Sequence, residues 1–207
     1  QYPHIGGHEF FGRIQSLGPN TAGLAVGDRV AVDPLVWCNR CRACRQGVHS
    51  ACASLKLLGI DMPGGFGEYV VADQEKCHIL PPAIPDDWGP LVELYSVAIH
   101  VADRAAVVPG DTVVILGAGK VGLAILDVIR NTAAARVAIV DLVDFRLDLA
   151  RTIHPDVETV HALADDPVDR VHALTDGRGA DLVIEVIGHW QPIPGRDDPM
   201  PQAINIL

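Results

Sequence analysis

Between Thr112 and Asp141 the sequence confines itself to one kind of local structure. Thr112-Val-Val-Ile-Leu116 is a continuous apolar run, followed by Gly117-Ala-Gly-Lys-Val-Gly122 and a stretch to Arg130 that is apolar nearly all round. Arg136-Val-Ala-Ile-Val-Asp141 is then a second unbroken apolar run that ends on an acid. Unbroken runs of five or six such residues suit strands covered on both faces, as in parallel sheets. A G-x-G-x-x-G turn that leaves a buried strand, opens a helix and is followed by an acidic strand end is the full context of a dinucleotide-binding turn.

Each residue of that turn has a physical task. Gly117 permits the tight turn, Gly119 lets backbone approach a pyrophosphate, and Gly122 allows close helix–strand packing. Unpaired N–H groups at the helix start, including those of Lys120 and Val121, face the phosphates with the positive end of the helix dipole. Asp141 is placed to accept ribose hydroxyls, and its charge opposes a 2′-phosphate, which favours NAD over NADP. Arg146 is a candidate to stack on adenine, with a solvated helix arginine as the other reading. Lys120 touches phosphate or stands exposed. A turn that binds nothing remains an alternative. A Walker phosphate loop does not, because Leu123 stands where that loop needs Lys.

The surrounding chain fits the same class. Helical patterns are expected over 92–106, 145–153 and 166–174, and a further buried strand over 181–186, so strand and helix alternate as in a parallel α/β sheet. Upstream, 28–33 and 67–72 read as short β-type runs bounded by turn residues. Pro81, Pro82 and Pro85 punctuate the passage between the two patterns. The expected division is a small β lobe over 1–85 and a nucleotide-binding domain over 86–207.

Cys38, Cys41, Cys44 and Cys52 follow the pattern C-x2-C-x2-C-x7-C. Four thiolates at short spacing can wrap one tetrahedral zinc ion and leave no position for substrate, so the loop 38–52 reads as a structural zinc site. Disulfides suit small secreted proteins, whereas this chain has ample core material. A ferredoxin-type cluster uses a similar start but a three-residue gap and a Pro after the last cysteine; here the gap is seven and Ala53 follows. Cys77 has no partner in sequence and reads as a buried strand residue. His4 and His100 sit in no motif and read as structural.

Sixteen basic residues against 26 acidic ones give a net charge of −10, the wrong sign for neutralising a nucleic-acid backbone. No apolar run reaches the roughly 18 residues of a spanning helix, and no signal peptide is expected. A cytoplasmic protein without nucleic-acid or membrane partners is expected.

Gly7-His8-Glu9-x-x-Gly12, the four-cysteine loop and the glycine turn occur in that order, an order that resembles the zinc-containing medium-chain dehydrogenase/reductase (alcohol dehydrogenase) family, with the nearest look to its sorbitol and threonine dehydrogenase branch. The resemblance covers nearly the whole chain. It implies an α/β protein: a partial GroES-like β lobe with a structural-zinc loop, then a partial Rossmann-type doubly wound parallel sheet. It implies a catalytic zinc held by His8, with Glu9 as ligand or close neighbour and Glu93 beside the metal or its water. A helix-start glutamate favoured by the dipole is the other reading of Glu93. The resemblance further implies oxidation of a small-molecule alcohol by hydride transfer to NAD, in a homo-oligomer, a dimer or tetramer.

The family's first catalytic-zinc ligand is a cysteine well upstream of the histidine, and the seven residues before His8 hold none. Relatives also carry Pro where Leu94 stands. The sequence also stops at Leu207, before the last strands such a nucleotide domain would have, so a chain truncated at both ends is expected. Two alternatives stay open beside a polyol or L-threonine-type dehydrogenase: an inactive remnant keeping structural zinc and nucleotide binding, and a formaldehyde or aminocyclitol dehydrogenase.

Overall fold

The computed structural model describes residues 3–134, 136–188 and 197–207. The chain divides into two compact units, Gln1–Leu94 and Tyr95–Leu207.

The first unit is irregular and β-rich. Strands β1 (Phe11–Arg13), β2 (Arg29–Val32) and β5 (Cys77–Ile79) form an antiparallel sheet in the order β1-β2-β5. In its register Gly12 faces Val30, and Ala31 faces His78. β2 is central, and its Val30, Ala31 and Val32 are buried, which accounts for the apolar run of 28–33. Strands β3 (Leu35–Val36) and β4 (Lys56–Leu57) make a second small ladder around helix α1 (Arg42–Arg45). Phe10, Val32 and Leu58 form the core, with Val36, Met62, Ala72 and Cys77 packed on it. Cys77 lies in β5 as expected, but half-buried.

The β-type run at 67–72 is not a strand. Tyr69 and Val71 are 75% and 94% exposed. No described strand pairs with this segment, so its β-prone residues have no ladder to join.

Helix α2 (Leu91–Ala105) begins the passage into the second unit, and the division falls within it. Strands β6 (Thr112–Leu116), β7 (Arg136–Asp141), β8 (Glu158–His161) and β9 (Leu182–Glu185) follow. They form one parallel sheet in the order β8-β7-β6-β9. All five residues of β6 are buried, as an apolar run without alternation requires. Helices α3 (Lys120–Arg130), α4 (Asp144–Ile153) and α5 (Pro167–Leu174) make the crossovers, and α6 (Pro199–Ile206) packs on α5 and β9. The Asp166 side chain caps α5 by accepting the N–H of Val168 at 2.9 Å, and Pro167 opens that helix.

Chain order runs outward from β6 through β7 to β8, then returns to the other side of β6 at β9. The reversal makes the carboxyl end of β6 a topological switch point, where open α/β sheets leave a crevice for ligands. The glycine turn lies there.

A polar clip joins three helices of this unit. The Tyr95 hydroxyl donates to Oδ2 of Asp127 at 2.8 Å, and His154 Nε2 lies 2.9 Å from the other carboxylate oxygen.

Candidate functional site

The four cysteines converge. Their sulfurs all lie within 4.8 Å of one another, with Cys41–Cys44 at 3.4 Å and Cys38–Cys44 at 3.9 Å. A tetrahedral zinc with bonds of about 2.3 Å has ligand sulfurs roughly 3.8 Å apart, whereas a disulfide would need about 2.05 Å. The spacing therefore fits four ligands on one ion and no covalent pair. Local backbone prepares the sulfurs for negative charge. Cys41 caps α1 and accepts the N–H of Cys44, while Cys52 accepts those of Cys38 and Ser54 at 3.4 Å. The backbone N–H of Cys44 is the main reason that the Cys41 thiol is lowered to about 6. Burial, with the neighbouring sulfurs, pushes Cys44 up to about 12. Cys41 is poised as thiolate, while Cys44 holds its proton until a cation arrives.

The Cys38 loop is braced from beside. Trp37 stacks on His49 with centroids 4.0 Å apart and planes 8° from parallel. The ammonium of buried Lys76 sits over the Trp37 ring and 3.4 Å from Asp33. No sequence motif announces this stack.

His8, Glu9 and Glu93 form the second cluster, each offering a ligand atom within 4.8 Å of the others. His8 Nε2 and Glu9 Oε1 are 4.0 Å apart, and all three residues are half-buried. Two close approaches bring them together. Behind His8, Gly64 and Phe66 donate backbone N–H groups to Ile5 and Gly6, and Gly65 donates to Gly7. A Cβ on Gly64 would lie 2.1 Å from the Gly7 carbonyl oxygen, so only glycine allows this contact. At the other end, Gly89 lies against the Phe11 ring, where a Cβ would come within 2.3 Å, and this lets the start of α2 approach the strand that follows Glu9. One imidazole and two carboxylates suit a divalent zinc. Three donors leave room for a further ligand, unlike the closed four-sulfur set.

The glycine turn has the form expected for a diphosphate cradle. Gly117 has φ +107°, in the region that favours glycine, and its N–H donates to the Val140 carbonyl at 2.8 Å. A Cβ on Gly122 would fall 1.8 Å from the Gly117 oxygen, so α3 could not seat against the turn with any larger residue. Gly119, the N-cap of α3, is the opposite case: a Cβ there meets nothing within 4 Å among the described residues, which leave the space above it open. Open space at a helix N-terminus with backbone exposed is what an approaching pyrophosphate requires. Lys120, exposed, and Val121 are the first two residues of α3.

Asp141 ends β7 and is 8% exposed. Its Oδ2 accepts the N–H of Ala118 at 2.7 Å, and its Oδ1 accepts those of Leu142 at 2.8 Å and Val143 at 3.0 Å. Arg146 Nη1 is 3.4 and 3.5 Å from the two oxygens. A carboxylate has about four lone-pair sites. Three are taken by backbone, and Arg146 holds the rest only through its longer contacts of 3.4 and 3.5 Å, which a ribose hydroxyl can displace.

Residues 1–82 match the alcohol dehydrogenase GroES-like domain. The L-threonine 3-dehydrogenase of Pyrococcus horikoshii is 34% identical over 90% of this chain and 53% of its own length. The crystal structure of galactitol-1-phosphate dehydrogenase from Escherichia coli superposes with a TM-score of 0.83 at 30% identity, over 91% of this chain and 54% of that one. The chain belongs to the zinc-containing medium-chain dehydrogenase/reductase family. The α/β architecture read from the sequence, a GroES-like lobe followed by a parallel nucleotide-binding-type sheet, is the one found. A structure described as the short chain alcohol dehydrogenase rspB of Escherichia coli CFT073, complexed with NADH, superposes with a TM-score of 0.82 at 33% identity, over 91% of this chain and 55% of that one. The chain thus spans about half the length of the family members it matches.

Proposed function

We propose that the whole protein is a zinc-dependent alcohol or polyol dehydrogenase, which oxidises a secondary alcohol (a polyol or an L-threonine-like substrate) by hydride transfer to NAD. The observation that carries this reading is the convergence of His8, Glu9 and Glu93 within 4.8 Å, in a chain that also holds an open glycine turn. The family names around it, threonine and galactitol-1-phosphate dehydrogenases, support the substrate class.

In this reading His8 presents an imidazole nitrogen, and Glu9 and Glu93 bring two negative charges against the two positive charges of the cation they hold. A divalent zinc bound there supplies Lewis acidity, which lowers the pKa of a hydroxyl by several units and prepares an alcohol to lose hydride. The N–H groups at the start of α3 bind the diphosphate of NAD, whose nicotinamide is the hydride acceptor. Asp141 accepts a ribose hydroxyl in place of its longer contact with Arg146. The Cys38–Cys52 loop does no chemistry and holds its own fold around a second zinc.

Two further statements belong to the same reading: the protein works as a homo-oligomer, a dimer or tetramer, and resides in the cytoplasm. No helix among the described residues is long and apolar enough to cross a membrane.

The test combines metal analysis with turnover. Loaded protein should hold two zinc ions per chain, and His8→Ala should remove one and leave the other. The complete protein should reduce NAD with polyols or L-threonine. One zinc per chain that His8→Ala does not disturb, together with no NADH formed, would defeat the proposal in favour of a non-catalytic zinc and nucleotide binder.

A further inference from the structure

The carboxyl end of β7 carries two carboxylates, and the fold treats them differently. Asp141 is almost fully buried, and Arg146 lies within 3.5 Å of both its oxygens. Seen from a phosphate group outside, that carboxylate and that guanidinium make a pair of no net charge. Asp144 opens helix α4 three positions on, with its side chain 84% exposed. His161 Nε2 lies 3.5 Å from its Oδ1.

His161 is well placed to hold it. The residue ends β8 directly beside Asp141 in the parallel register. Its Nδ1 lies 3.2 Å from the backbone N–H of Leu163 and accepts from it. A ring nitrogen that accepts leaves the other to carry the hydrogen, so Nε2 turns an N–H toward Asp144. The contact keeps an exposed negative charge at the rim where Asp141 offers itself to the ribose.

We infer that Asp144, steered by His161, is a second specificity-determining residue, which adds to Asp141 in turning away a 2′-phosphate and so strengthens the preference for NAD over NADP. Asp141 recognises the hydroxyls, but its charge is offset by Arg146. Asp144 adds to the repulsion that this pairing leaves. A 2′-phosphate carries close to two negative charges at neutral pH, and a single exposed carboxylate near it acts through solvent that salt screens. The inference rests on the dinucleotide reading given above.

Direct binding tests it without turnover. NADH and NADPH are titrated separately into the chain by nicotinamide fluorescence, at about 20 mM and about 500 mM salt. Asp144→Asn should tighten NADPH roughly five- to tenfold at low salt, leave NADH within about twofold, and show a smaller gain at high salt. His161→Ala, which frees the carboxylate, should move the NADPH-to-NADH ratio in the same direction by less, and His161→Gln, which restores a donor, should bring it back. An Asp144→Asn chain that binds NADH normally with an unchanged ratio overturns the inference alone. A wild-type chain that binds neither dinucleotide overturns the reading beneath it.

Discussion

Oδ2 of Asp141 accepts the backbone N–H of Ala118 at 2.7 Å, tying the end of β7 to the middle of the glycine turn that follows β6. Ala118 is wholly buried, so its N–H has no water to turn to. The acid that marks a nucleotide-binding sequence is therefore also part of the turn's framework. Asp141→Ala should cost about 1–3 kcal/mol of stability through the orphaned donors, measured by urea denaturation, as well as weakening NADH binding. Unchanged stability with weakened binding would show that the carboxylate serves the ligand alone.

Two glycines of the same turn should fail in different ways. Gly122→Ala places a Cβ 1.8 Å from a backbone oxygen that has nowhere to move, and a loss of about 3 kcal/mol or more is expected in thermal or urea unfolding. Gly119→Ala meets open space and an ordinary φ of −70°. Its stability should stay within about 1 kcal/mol of wild type, while NADH affinity falls at least tenfold because the methyl stands where the pyrophosphate comes close. Equal stability loss in both variants would refute the distinction.

These cases show why the second unit was so readable from sequence. Strands β6 and β7 are covered on both faces, so their unbroken runs state their own burial. The turn between them fills a motif whose every glycine answers a local demand. The first unit is harder because its demands are remote. Nothing near Gly64 in sequence reveals that Gly7 lies against it, or that Gly89 must clear Phe11, yet these contacts bring His8, Glu9 and Glu93 together. The residues at 67–72 mislead for the complementary reason: β-prone residues describe a side-chain preference, and a strand also needs a partner. Asp144 and His161 are not legible in the sequence, because an exposed acid and a strand-end histidine carry no pattern of their own.

The clip among Tyr95, Asp127 and His154 should be visible in alkaline stability. Burial, then the hydrogen bond and charge of Asp127, raise the Tyr95 phenol above its ordinary value. A raised folded-state pKa contributes stability that is whole below the ordinary phenol range near 10 and is lost as pH rises through the folded value. Tyr95→Phe should lower stability at pH 7 by about 0.5–1.5 kcal/mol and flatten this alkaline decline. Denaturation midpoints from pH 7 to 11 check it. A decline of the same steepness in the variant would assign it to other groups.

The zinc loop makes the last prediction, and its sign follows from which thiols hold protons. Cys41, at about 6, is thiolate at neutral pH, while Cys44, at about 12, is not. Zinc binds thiolates only, so uptake must expel the Cys44 proton at pH 7 and that of Cys41 as well once the pH falls below about 6. Affinity should therefore rise with pH throughout, and more steeply below pH 6 than above it. Calorimetry of zinc binding in buffers of different ionisation heat counts the protons released at each pH. Cys44→Ser should weaken zinc retention against a chelator by at least a hundredfold, and Cys77→Ser should leave it unchanged, since Cys77 lies outside the four-sulfur group. A chelator that strips the metal should open the loop between Cys38 and Cys52 to proteolysis and leave the parallel sheet resistant. If zinc affinity proved flat between pH 5 and 8, the thiols would already be unprotonated in the free chain, and the division of the cluster into ready and reluctant ligands would be wrong.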